Sequence, residues 1–111
     1  VTRPLHVLQS KGIEVTKVAC ADGGPIKVKD IESAVKPNTR AIIITHASNV
    51  TGTIMPVSEI GRLARAKGLF FIVDAAQSAG VFEIDVAAMG IHLLAFPGHK
   101  GLSAGRPAGA L

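Results

Sequence analysis

The sequence predicts an α/β domain with a mostly parallel sheet. Three short apolar runs, at residues 41–45, 69–73 and 92–96, have the composition of strands buried inside a domain. Segments with helical spacing precede or separate them. Because parallel neighbours need crossover connections, this alternation indicates right-handed crossovers and strands that are buried on both faces.

The amino-terminal part of the chain is expected to hold two helices and one strand. Residues 2–11 have the pattern of a helix that stops at Gly12, a residue type that commonly ends helices. Residues 13–19 alternate apolar and polar side chains, which predicts a strand with one solvated face. Residues 22–25 predict a turn, and residues 30–35 predict a short helix with one apolar face.

The connections between the apolar runs predict the remaining elements. Residues 46–55 are polar and turn-like. Pro56 suits the first turn of a helix, and Gly68 is placed to end that helix. Residues 85–89 predict a short helix that is capped by Asp85.

Composition excludes several classes of protein. The 111 residues are 48% apolar and include one cysteine, so neither an internal disulfide nor a cysteine metal cluster is expected. No apolar run reaches the roughly 20 residues that cross a bilayer. The formal net charge of +4 comes from scattered residues, which favours a solvated surface over a nucleic-acid patch. The single cysteine fits a reducing compartment, so we expect a cytoplasmic protein.

Three polar loops follow the three predicted strands, at residues 46–52, 74–80 and 97–101. Ligands of open parallel sheets bind beyond the carboxyl ends of the strands. The polar residues with the most useful chemistry fall in these loops. The pattern therefore predicts a binding site at this edge of the sheet.

An amine and a carboxylate stand out in these loops. Lys100 is placed for Schiff-base chemistry, and Asp74 is placed to pair with a cationic ring nitrogen. Gln77 is a donor for a ligand oxygen, and His99 is either a donor for a phosphate or an acid/base group. Asn49 lies in the polar loop after the first run. Taken singly, each also has an ordinary structural explanation as a surface lysine, a turn cap, a loop amide or a structural histidine. No set of side chains has the spacing of a metal site.

The segments HASNVTG (residues 46–52), VDAAQSAG (73–80) and PGHKG (97–101) together resemble class V aminotransferases, and specifically the cysteine desulfurase branch. Their order and spacing match over nearly the whole chain. The resemblance implies the type I fold of pyridoxal-phosphate-dependent transferases. That fold has a three-layer α/β/α large domain with a mainly parallel sheet, and a smaller carboxyl-terminal domain.

The resemblance also implies a role for each candidate residue. Lys100 would hold pyridoxal 5'-phosphate as a Schiff base, and Asp74 would pair with the pyridine nitrogen. Gln77 would bind the ring hydroxyl oxygen, and His99 would contact the phosphate. Asn49 would lie near the ring and the substrate.

The activity that the resemblance implies is cysteine desulfuration, which converts cysteine to alanine and leaves persulfide sulfur on the enzyme. Sulfur would pass to an acceptor protein, as in iron–sulfur cluster assembly, and the full-length protein would be a homodimer. Residues 1–111 would be one partial large domain without the small domain, and inactive alone. The alternatives are a class V aminotransferase, a selenocysteine lyase, or a non-catalytic α/β fragment that binds no cofactor.

Three positions depart from the family pattern or fall outside its catalytic loop. Many relatives carry Ser or Thr at the position of Pro97. Residues 103–108 differ from the usual Gly-Pro-x-Gly-x-Gly turn, and the pattern resumes at Gly109. This stretch is a natural variant, a sequence error or the end of a truncated chain. Cys20 matches a strand end and not the sulfur-accepting loop, so we interpret it as structural.

Overall fold

The computed structural model describes residues 2–20, 23–103 and 109–110. These residues form three helices and four strands. In chain order the elements are α1 (Thr2–Ser10), α2 (Val28–Ala34), β1 (Ala41–Thr45), α3 (Val57–Ala66), β2 (Phe70–Asp74), β3 (Leu93–Pro97) and β4 (Gly109–Ala110).

The four strands form one sheet in the order β1-β2-β3-β4. Strands β1, β2 and β3 are parallel, and their register places Thr45 beside Asp74 and Asp74 beside Ala95. Strand β4 pairs antiparallel with the end of β3. The predicted α/β class and the mostly parallel sheet are therefore confirmed.

The core lies between helices α2 and α3 and one face of the sheet. Phe71 and Val73 of β2 are fully buried there, together with Ile60 and Ala64 of α3. Burying one large apolar side chain contributes about 1.5–3 kcal/mol to stability. Helix α3 therefore holds β2 in place through apolar contacts, and the last of these buried residues, Val73, directly precedes Asp74.

The other face of the sheet is more open than the sequence predicts. No residue of β1, β2 or β3 on this face is buried, and Phe70 is 53% exposed. The prediction that the strands are buried on both faces is wrong for the described residues. The physical reason is that α2 and α3 pack on the Phe71 face, and α1 has no buried residue.

The predicted strand at residues 13–19 is also wrong. These residues pair with none of the four strands, and Ile13 is 50% exposed. A strand exists only with a partner, and an alternating pattern cannot supply that partner. Instead Glu14 bonds to Lys36 and Asn38. The hydrogen bond from Lys36, reinforced by Asn38, lowers the pKa of the Glu14 carboxyl.

The predicted helix at residues 85–89 forms only a single turn. Asp85 Oδ1 does accept hydrogen bonds from the backbone N–H groups of Ala87 and Ala88, at 3.0 and 2.9 Å. The predicted cap is thus correct. The turn then stops because Gly90 adopts φ +66°, a left-handed conformation that does not continue a helix.

The remaining elements agree with the sequence to within a few residues. Helix α2 begins two residues earlier than predicted, and α3 begins directly after Pro56. Gly12 and Gly68 follow α1 and α3 with φ of +86° and +63°, as expected for glycines that end helices. Of the predicted turn at residues 22–25, Asp22 lies outside the described residues, and so do residues 104–108 of the unusual stretch. None of the helices in the described ranges is long and apolar enough to cross a membrane.

Gly61 of α3 provides a test of this packing. A Cβ atom there would lie 1.8 Å from the carbonyl oxygen of Met89. Alanine favours a helix interior by about 1 kcal/mol, but overpacking against a fixed backbone costs about 1–3 kcal/mol. We expect Gly61→Ala to lower the free energy of unfolding in a urea titration. The control Arg62→Ala, at an exposed position of the same helix, should change it by no more than about 0.5 kcal/mol. A stabilised Gly61→Ala would contradict the packing.

Candidate functional site

The loops after β1, β2 and β3 leave the sheet at one edge. The backbone hydrogen bonds between the strands continue into these loops. His46 N–H donates to the Asp74 carbonyl at 2.8 Å, and Ala75 N–H donates to the Ala95 carbonyl at 2.8 Å. The structure thus brings together the three loops that the sequence singles out.

Asp74 is the last residue of β2, directly before the loop, and is half-buried. Its Oδ1 accepts a hydrogen bond from Ala76 N–H at 2.9 Å, so the carboxylate does cap a turn. Its other oxygen accepts no hydrogen bond from the described residues. The loop is closed by Ser78 and Ala79, whose N–H groups both donate to the Ala75 carbonyl, at 3.0 and 2.9 Å. Asp74 therefore has one oxygen that fixes the loop and one that is available to a ligand.

Lys100 and His99 lie in the loop after β3. Lys100 is exposed, His99 is half-buried, and Gly98 before them is buried. The Lys100 carbonyl accepts a hydrogen bond from Ser103 N–H at 2.9 Å, which closes a turn. The lysine is thus held at its backbone while its side chain remains accessible.

Two glycines join the Asp74 loop to the Lys100 loop. A Cβ on Gly101 would lie 2.3 Å from the Ala79 carbonyl oxygen, and one on Gly80 would lie 2.7 Å from the Gly101 carbonyl carbon. Gly80 also has φ +79°, which side chains disfavour. The backbones of the two loops approach each other this closely only because both residues lack a side chain.

His46 links the loop after β1 to the loop after β2. Its Nδ1 lies 2.9 Å from Ser78 Oγ, and both residues are buried, with 7% and 0% exposure. Its ring is tilted toward Phe82, with ring centres 6.1 Å apart. Burial disfavours the charged imidazole and lowers the pKa of His46. The sequence placed His46 in a polar loop, but its pairing with Ser78 was not predicted.

Asn49 lies at an exposed turn in the loop after β1. Ser48 Oγ accepts hydrogen bonds from Val50 N–H and Thr51 N–H, both at 3.2 Å, and this fixes the turn. The Asn49 side chain forms no hydrogen bond with the described residues. The hydroxyl of Ser48, and not the amide of Asn49, therefore stabilises this turn. The Asn49 amide is left free to bind a ligand.

A cavity of about 500 Å³ lies at the opposite edge of the sheet, near the amino ends of β2 and β3. Its lining includes Arg65, Phe70 and His92, and none of the five candidate residues. His92 Nδ1 accepts a hydrogen bond from Phe71 N–H at 3.1 Å, which is a structural role. No group of three or more metal-ligating side chains occurs in the part of the chain that the structure describes.

The arrangement defines an α/β domain with a candidate ligand site at the carboxyl ends of its parallel strands. A carboxylate ends β2 and an amine follows β3, and neighbouring strands lie about 4.8 Å apart. A carboxylate can pair with a protonated ring nitrogen, and an amine can condense with a carbonyl group. The chain belongs to the aminotransferase class-V family, whose model matches residues 3–109.

Known relatives agree with the branch that the sequence motifs indicate. A probable cysteine desulfurase of Methanothermobacter thermautotrophicus is 47% identical over 94 residues, or 85% of this chain. The solved structure of SspA in complex with cysteine is 36% identical, covers 90% of this chain and 30% of its own, and has a TM-score of 0.85. The apo cysteine desulfurase of Thermococcus onnurineus NA1 is 37% identical, covers 88% of this chain and 24% of its own, and has a TM-score of 0.82.

The chain spans only a part of its curated relatives. It covers 24%, 18% and 23% of the length of the proteins from Methanothermobacter thermautotrophicus, Arthroderma benhamiae and Tolumonas auensis. All three are named as cysteine desulfurases, one of them mitochondrial. The predicted family is therefore confirmed on a chain that corresponds to one segment of those proteins.

The buried His46 predicts how stability depends on pH. In the folded chain the pKa of His46 is lowered from its usual value of 6.5. Below about pH 6.5, His46 therefore binds a proton more readily in the unfolded chain than in the folded chain. Stability should fall as pH decreases from 7.5 to about 5, with a slope from this group of at most about 1.4 kcal/mol per pH unit.

The control for this pH dependence is His46→Asn, whose amide does not titrate. Urea titrations at several pH values should show a shallower decline in this variant between about pH 7.5 and 5, a window that stays above the range in which Glu14 titrates. Equal slopes in the two proteins would show that His46 does not take up a proton on unfolding.

Proposed function

We propose that this chain forms the cofactor-binding centre of a pyridoxal-phosphate-dependent enzyme of the cysteine desulfurase type. The observation that carries the proposal is the placement of Asp74 at the end of β2 and of Lys100 in the loop after β3, the neighbouring parallel strand. Their loops are held together by the close contact of Gly80 and Gly101. The identity of the chain to proteins named as cysteine desulfurases supports the same assignment.

Pyridoxal phosphate, when bound, would supply an electron sink for negative charge at the substrate α-carbon. Asp74 would anchor the ring nitrogen, and its oxygen that is free of the turn is suited to that contact. A carboxylate at this position would favour the protonated form of that nitrogen when the cofactor is bound. The Lys100 amine would hold the cofactor and serve as the base that moves protons at the substrate carbons.

The other three residues would bind and orient. Gln77, half-buried in the Asp74 loop, would donate to the ring hydroxyl oxygen, and His99, half-buried before Lys100, would donate to the phosphate. Asn49 would contact the ring or the substrate through an amide that no described residue occupies. All three side-chain types are strong donors that need no metal ion to bind oxygen atoms.

The activity of the whole protein would be the conversion of cysteine to alanine, with the sulfur left on the enzyme as a persulfide. Cysteine is favoured as the substrate because a structural relative was solved in complex with cysteine. Residues 1–111 would be a partial cofactor-binding domain of a homodimer that passes sulfur to an acceptor protein. The 111 residues alone are expected to be inactive, and the cytoplasmic location stays a prediction.

The identity of the linking lysine tests the proposal. Pyridoxal phosphate is added to the chain, the visible absorbance is recorded, and borohydride is used to fix the cofactor on the lysine to which it is linked. Peptide mapping should place most of the label on Lys100, and Lys100→Ala should lose nearly all of it. Lys29→Ala, at an exposed lysine on α2, is the matched control and should label as the unsubstituted chain does. Equal labelling of many lysines would instead support a fragment without a cofactor site.

A further inference from the structure

The hydrogen bond between His46 and Ser78 has no part in the chemistry described above. We propose that this buried pair is a positioning device that holds the loop from Asp74 to Gly80 in the conformation that binds the cofactor. The inference rests on the proposed function and assigns a role to two residues that do not themselves touch the cofactor.

His46 bonds through three different atoms to two other segments of the chain, the Asp74 loop and the segment at Met55. Its N–H donates to the Asp74 carbonyl at 2.8 Å, its carbonyl accepts from Met55 N–H at 2.8 Å, and its Nδ1 bonds to Ser78 Oγ at 2.9 Å. The first and third of these bonds fix the Asp74 loop at two residues, Asp74 and Ser78. The second fixes His46 itself to the segment that enters α3.

Ser78 is the centre of the loop that His46 grips. Its N–H donates to the Ala75 carbonyl at 3.0 Å, and its own carbonyl accepts from Val81 and Phe82 at 3.0 and 2.9 Å. Gln77 directly precedes it. A shift of Ser78 would therefore move Gln77 and the turn that Asp74 Oδ1 closes.

No other polar side-chain link between the β1 loop and the β2 loop occurs in the described residues. The three ion pairs found there involve Glu14, Glu59 and Glu32 with their basic partners, all away from the site loops. The pair is also shielded, since Ser78 is fully buried and His46 nearly so. A buried polar atom that loses its partner is costly, so the pair favours one loop conformation over others.

Three variants separate the hydrogen bond from the space that the residues fill. Ser78→Ala removes only the hydroxyl, His46→Phe keeps a ring but loses Nδ1, and His46→Asn keeps a polar atom near the position of Nδ1. Thr53→Val is the control, because the Thr53 hydroxyl bonds to Gly23 and Thr51 and forms no hydrogen bond with the described residues of the β2 loop.

The first readout needs no cofactor. Amide hydrogen exchange of Ala76 and Ala79, measured on the chain alone, should be about tenfold faster in Ser78→Ala and His46→Phe. Exchange in His46→Asn and Thr53→Val should stay near that of the unsubstituted chain. Unchanged exchange in both Ser78→Ala and His46→Phe would overturn the positioning role, whatever the cofactor does.

The second readout is the affinity for pyridoxal phosphate, from absorbance titration well below the melting temperature of each variant. Ser78→Ala and His46→Phe should bind about tenfold more weakly, with His46→Asn restoring most of the affinity. A merely structural role would lower the melting temperature and leave this affinity unchanged, which would overturn the inference while Lys100 labelling still supports the proposed function. Absence of Lys100 labelling in the unsubstituted chain would overturn both.

Discussion

The parallel register of β1, β2 and β3 is the constraint on which the rest of the site depends. It aligns Thr45, Asp74 and Ala95, so the three loops that follow leave the sheet at the same edge. Burial enforces the register, because Phe71 and Val73 lie on the buried face of β2 and Asp74 lies on the opposite face. A slip of one residue would expose the two apolar side chains and turn the carboxylate toward the core, where an unpaired charge is very costly.

Two glycines and a buried polar pair position the three loops that follow these strands. The contact between Gly80 and Gly101 brings two loop backbones closer than any side chain would allow. The pair formed by His46 and Ser78 joins the third loop from the other side of β2. Fold stability and site geometry are therefore coupled, since the apolar contacts of α3 with β2 also support the loop that starts at Asp74.

Much of the fold could be predicted because its signals are local. The predicted first and last residues of β1 agree with the structure, and Pro56 and Gly68 predict where α3 begins and ends. The strand predicted at residues 13–19 is absent because a strand depends on a distant partner, and these residues pair with none of the four strands. The helix predicted at residues 85–89 closes only one turn because Gly90, directly after it, adopts a left-handed conformation. The loops of the site were predicted because polar residues after apolar runs are also a local signal. The bond from His46 to Ser78 spans 32 positions and could not be predicted from spacing.

We propose that Asp74 holds the ring nitrogen of pyridoxal phosphate at the end of β2. The most direct measurement is an NMR spectrum of cofactor that is isotopically labelled at the ring nitrogen and bound to the chain. We predict a protonated nitrogen in the unsubstituted chain and loss of that proton in Asp74→Asn, because an amide does not stabilise the positive ring. The same protonation state in both proteins would contradict the account.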